Sequence, residues 1–95
     1  VPNTVSINDN DHNLNEPICY LQVYDDNVYL YFKQCKKDFV NVEVIDMYGR
    51  SIISNLELNI ENCSCHFNMN GYLSGYYLLR LNYGGKTVVK KFFIN

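Results

Sequence analysis

Tryptophan is missing from this 95-residue sequence, and proline and histidine occur only twice each. Without tryptophan there is no buried indole of the kind around which antibody-type domains pack their inter-sheet bridge. Two histidines leave little material for general-base chemistry. No apolar run approaches the roughly 18–20 residues that a bilayer-spanning helix needs. Nor is there a basic excess: the formal net charge of −2 excludes the concentrated positive face of a nucleic-acid binder. No G-x-S-x-G elbow and no glycine-rich phosphate loop appears. The sequence also lacks an initiator methionine and the apolar core of a signal peptide. It starts at Val1 as a processed chain would, which agrees with an upstream targeting segment already removed.

What is present is aromatic and strand-like. Nine tyrosines and five phenylalanines accompany a composition that is 47% hydrophobic and 19% charged, a globular balance that favours strands. The length allows one domain, which buries about 60–65% of the surface its unfolded chain exposes. Charge is unevenly spread. Asp9, Asp11, Glu16, Asp25 and Asp26 occupy the first third with no Lys or Arg, and all eight basic residues follow from Lys33 onward. Solvated loops at one end and lysine-bearing edge strands at the other account for that asymmetry.

Residues 1–17 are Asn-rich and weakly patterned, an N-terminal arm in which Thr4 to Ile7 can form a short edge strand. From residue 18 to residue 95, strand and turn alternate about every ten residues, the spacing of a sandwich or barrel. Ile18 to Tyr24 points Cys19, Leu21 and Val23 one way. After the Asp25-Asp26-Asn27 turn, Val28 to Lys33 returns with Val28, Leu30 and Phe32 inward. A basic loop over Gln34 to Asp38 leads to Phe39–Asp46, with Val40, Val42 and Val44 inward. Met47-Tyr48-Gly49-Arg50 turns the chain into a less regular strand over Ser51 to Ile60. Cys63, Cys65, Phe67 and Met69 alternate next, and Asn70-Gly71 precedes Tyr77, Leu79 and Leu81. Gly84-Gly85 closes a hairpin onto Lys86 to Ile94. No segment has a helical period. Seven strands without a helix predict an all-β, immunoglobulin-like antiparallel β-sandwich.

Val42, Val44, Asp46, Gly49 and Arg50, then Leu73-Ser74-Gly75-Tyr76-Tyr77 and the closing Lys90-Lys91-Phe92-Phe93-Ile94, resemble small immunoglobulin-like modules exported by Bacteroidetes. Two families share the pattern over about the last 55 residues. One comprises short single-domain exported proteins of unknown function. The other is the C-terminal sorting domain of the type IX secretion system, which closes large secreted proteins. This sequence departs from the sorting domain in lacking the N-P dipeptide that usually opens it, and its strands before Val40 fit the single-domain family better. The resemblance implies export to the periplasm, the cell surface or the medium, and brings no catalytic residues with it.

Several constellations invite chemistry. Cys63-Ser64-Cys65-His66 suggests zinc, but strand alternation sends both thiols to one face and His66 to the other. Four cysteines leave pairing open: buried thiols can act as small hydrophobes, Cys19 can reach Cys63 or Cys65 if their strands face each other, and Cys35 stands in the loop as the exposed thiol. Asp9-Asn10-Asp11-His12-Asn13 opens like a calcium loop, yet Leu14 and Tyr20 stand where the glycine and the bidentate glutamate belong. Cys65 and His66 on opposite faces cannot pair as nucleophile and base. The best candidate is a surface: Tyr20, Tyr24, Tyr29 and Tyr31 gather on the outer face of the first hairpin, where tyrosine suits protein or glycan recognition. The apolar Phe92-Phe93-Ile94 end is expected to dock into its own sandwich rather than a partner's. The sequence therefore reads first as a non-enzymatic exported binding or adhesion-type module without cofactor or metal, binding no nucleic acid and spanning no membrane. Its alternative is a secretion sorting domain from a larger protein.

Overall fold

A computed structural model describes residues 18–95. The expected arm over 1–17, the Thr4–Ile7 strand and the Asp9–Asn13 loop lie outside these residues. The described chain forms seven strands: β1 Cys19–Tyr24, β2 Asn27–Phe32, β3 Phe39–Asp46, β4 Ser51–Asn59, β5 Ser64–Asn68, β6 Gly75–Tyr83 and β7 Lys86–Ile94. All pairings are antiparallel. The strands make two sheets, β1-β2-β5 and β4-β3-β6-β7, stacked as a sandwich. Compared with the antibody constant plan, in which the fourth strand joins the first two, β4 here lies beside β3.

Period-two alternation produces the core. Val40, Val42 and Val44 in β3 and Leu79 and Leu81 in β6 are fully buried, and they face Cys19, Val28 and Leu30 from the other sheet. Met69 is buried at the end of this row, its amide tied to the Asp26 carbonyl at 2.7 Å. Each fully buried aliphatic contributes about 1.5–3 kcal/mol. Phe92 and Ile94 join the same core while Phe93 points out, so the final strand docks into its own sandwich as the alternation predicts.

The turns show why their residues are there. Asp25 and Asp26 both have positive φ (52° and 67°), as do Gly84 and Gly85 (59° and 84°), the backbone that a two-residue type I′ hairpin requires. The irregularity expected in β4 is a bulge. Val42 pairs with Leu56, Val44 with Ile53 and Ile45 with Ser51, so β4 absorbs two extra residues, the first near Asn55, whose φ is +52°.

Seven strands, an odd number, set the path of the described residues. β1 starts just after Ile18, at the end that also carries the 33–38 loop and the Gly84-Gly85 hairpin, while β7 finishes at the opposite end, beside Asp25 and Asp26.

Candidate functional site

The outer face of the three-stranded sheet gathers the expected tyrosines. Tyr20 lies directly opposite Tyr31, and Gln22 opposite Tyr29. Tyr29 in turn faces His66 across β2 and β5, with ring centroids 5.2 Å apart, and Tyr29 and Tyr31 are 6.3 Å apart with planes 16° from parallel. Tyr20 and Tyr31 are exposed and Tyr29 is half-buried. Together they form a shallow aromatic band crossing all three strands. Tyr24 stands apart at the hairpin tip, where with Val23, Asp25, Asp26, Phe93 and Asn95 it lines a shallow cleft of about 430 Å³. His66, which alternation alone put outside, becomes part of the band through its pairing with Tyr29.

The cysteines correct the sequence reading. Cys35 and Cys63 form a disulfide, with Cα atoms 5.2 Å apart, inside the usual range for bridged cysteines. Cys35 is therefore not a free thiol, and Cys19 pairs with neither Cys63 nor Cys65. Nor does Cys63 share a face with Cys65 in one strand. Glu61 and Ser64 exchange both backbone hydrogen bonds, closing a two-residue turn on Asn62 and Cys63, each with positive φ, so β5 begins only at Ser64. Cys65 is buried and His66 exposed, which leaves Cys63, Cys65 and His66 facing three ways. Burial pushes the Cys19 thiol up to about 11, with Lys90 pulling against it and Cys65 adding to it. Burial does the same to Cys65, also to about 11.

Three polar devices escaped the sequence. Tyr83 buries its ring 4.5 Å from that of Phe32, while its hydroxyl accepts from the amides of Lys36 and Lys37 and donates to the Gln34 carbonyl. One hydroxyl thus fixes the loop that carries Cys35. Tyr77 plays a lesser version of this role, donating to the Leu73 carbonyl four residues upstream, in the manner of a tyrosine corner. Asp46 organises the turn to β4: its Oδ1 accepts from the amides of Tyr48 and Arg50 and its Oδ2 from Arg50 Nε, with Gly49 at φ +84° between them. Desolvation would raise the Asp46 carboxyl, but the Arg50 and Tyr48 hydrogen bonds and the Arg50 charge outweigh it and hold the group below its ordinary value.

The edges of the sandwich are guarded unequally. β7 carries Lys86, Lys90 and Lys91, and Lys90 lies opposite the buried Leu79 on the inner side, an inward charge that discourages a further strand from docking. Outside, Lys91 covers the Tyr76 ring at 4.8 Å, and Tyr76 meets Phe93 edge-on. Arg80 bridges to Glu43 at 3.0 Å on the same face. Among the described residues no helix is long and apolar enough to cross a membrane.

The family profile of the secretion system C-terminal sorting domain matches residues 24–95 of this sequence. No curated protein matches it significantly. The match takes in β2 to β7, so of the two strands before Val40, which by their residues suit the single-domain family, β2 falls within the sorting-domain pattern and β1 precedes it except for Tyr24. The chain belongs to the secretion system C-terminal sorting domains, the type IX group, a family that implies a Bacteroidetes origin. Sorting of an exported protein to the cell surface or the medium replaces the adhesion-type module as its function.

Proposed function

We propose that the sandwich is a folded address read by a protein partner, and that cargo joined ahead of Ile18 leaves the cell because this body is recognised as a unit. The family match over residues 24–95 carries this reading. The chain makes and breaks no bond in its cargo and uses no cofactor. In support, the one adjacent thiol–imidazole pair, Cys65 and His66, is split between the interior and the outer surface. The periplasm is a waypoint on the route, in keeping with a Cys35–Cys63 disulfide that needs an oxidising compartment.

The partner meets the band formed by Tyr20, Tyr29 and Tyr31, with Tyr24 at its margin. Tyrosine offers large, stiff contact area with a polar tip, and the band's cross-strand pairing holds the rings in place before binding. The test places the 95 residues behind a reporter enzyme in a Bacteroidetes host with an active type IX system. The reporter should appear on the surface or in the medium, and should stay inside without the chain. Retention of the intact fusion would sink the sorting assignment. A Tyr29→Ala/Tyr31→Ala fusion with unchanged circular dichroism should export about tenfold less, the loss expected for a tyrosine hot spot. Undiminished export would leave sorting in place and remove the tyrosine band from it.

A further inference from the structure

The four cysteines fall into two chemical classes. Cys19 and Cys65 are buried on the inner side of the three-stranded sheet, and their thiols are held protonated by desolvation. They offer little thiolate to an oxidant at neutral pH. Cys35 and Cys63 lie outside the ladders, Cys35 exposed and Cys63 half-buried. Cys35 also sits in the run Lys33-Gln34-Cys35-Lys36-Lys37, whose cations favour the thiolate whenever the bridge is open.

Each of the two cysteine turns is held without the bridge. The Tyr83 hydroxyl binds Gln34, Lys36 and Lys37 around Cys35. Glu61 and Ser64 close the turn around Cys63, and the Phe32 amide donates to the Cys63 carbonyl at 2.8 Å. Hydrogen bonds that do not involve the sulfurs therefore act on both cysteine turns. The bridge joins the β2–β3 and β4–β5 connections, the two places at this end where the chain passes from one sheet to the other.

The geometry points to Cys35 as the sulfur at which an external dithiol–disulfide oxidant exchanges with this domain, closing the Cys35–Cys63 clamp on a sandwich that has already folded. In the first step the Cys35 thiolate attacks one sulfur of the oxidant's disulfide. That bond breaks, a mixed disulfide forms, and one oxidant thiolate departs. Cys63 as thiolate then attacks the Cys35 sulfur, forming the internal bridge and releasing the second oxidant thiolate. Two electrons pass from the domain to the oxidant, and the two thiol protons end on its sulfurs. The cargo-side end is thus sealed only after the chain meets an oxidising partner, and burial of Cys19 and Cys65 prevents wrong pairing.

The experiment takes the full chain, reduces it under native conditions with a small dithiol, and adds glutathione disulfide as the probe oxidant. Samples are quenched with acid and mapped by peptide mass. The first mixed disulfide should lie on Cys35, and Cys63→Ser should accumulate a single adduct there. Cys35→Ser should react at Cys63 about tenfold more slowly, and Cys19 and Cys65 should stay unmodified until denaturant is added. Lys36→Ala/Lys37→Ala should slow the first step roughly threefold at low salt, with the difference shrinking at high salt. The reduced chain should keep its strand signal in circular dichroism. A first adduct on Cys63, equal rates for the two serine variants, or loss of strand signal on reduction would each overturn the proposal. If a serine variant fails to fold, the time-resolved map of the unsubstituted chain still decides, since it reads which sulfur is attacked first.

Discussion

At the end where β1 starts, a disulfide and one tyrosine hydroxyl tie the 33–38 loop to the body, and the Gly84-Gly85 hairpin packs beside Lys37. At the far end the connections hold without a covalent tie, by hydrogen bonds from Asp46 and Tyr77 and between Met69 and Asp26 and by the Arg50–Asp46 ion pair. The far end also leaves Tyr48, Leu73 and Met47 86%, 83% and 61% exposed. The two ends carry different loads. Two of the three passages between sheets occur at the first end and only one at the second. Connections that leave a sheet give up ladder hydrogen bonds, so their polar groups need other partners. The end with more such passages has the covalent tie.

That contrast can be attacked directly. Replacing both Cys35 and Cys63 by serine frees a loop spanning 28 residues of sequence separation. Chain-entropy reasoning puts the loss at about 3.5 kcal/mol, read as a lower urea midpoint with the fold retained. A midpoint equal to that of the oxidised protein would show that the near end owes nothing to its bridge. Tyr83→Phe comes second, because it removes the common partner of two amides and a carbonyl, and should cost about 1–3 kcal/mol. Tyr77→Phe, its counterpart at the far end, deletes a single hydrogen bond and should cost only about 1 kcal/mol. If the two phenylalanine variants unfold at the same midpoint, the ends are not braced differently by their tyrosines.

Asp46→Asn should show the smallest destabilisation of the series, present at neutral pH and vanishing in acid. The folded-state pKa of Asp46 is depressed. Its contribution is therefore complete above the ordinary carboxylate value and is lost as pH falls through the folded value. Stability of the asparagine variant should approach that of the parent as the pH is lowered through that window. Parallel acid limbs for the two proteins would remove Asp46 as the pH-sensitive element of the far end.

Much of this was legible in the sequence because alternation and turn chemistry are local. Val40, Val42 and Val44, or Leu79 and Leu81, announce their face two residues at a time, and Asp25-Asp26 and Gly84-Gly85 announce their turns. The disulfide was not legible, since nothing near Cys35 refers to Cys63. Only the pairing of Tyr31 with Ser64 brings the end of β2 beside the start of β5 and so sets the two cysteines together. The Tyr83 hydroxyl escaped for the same reason, its loop partners lying 46 to 49 residues away. The tyrosine band was visible as two separate strand faces. His66 joined it only through the register of β5 against β2.

The opposite placement of Ile18 and Ile94 has a mechanical consequence. Among the described residues, seven strands carry the backbone from one end of the sandwich to the other, about 30 Å for a nine-residue strand. If the last strand is held while cargo drags on the first, the pull runs along the strand axes. Ladder hydrogen bonds stand perpendicular to that line, so they are loaded in shear, many at a time, and not peeled apart singly. Tension between cargo and tail is thus shared across the whole body.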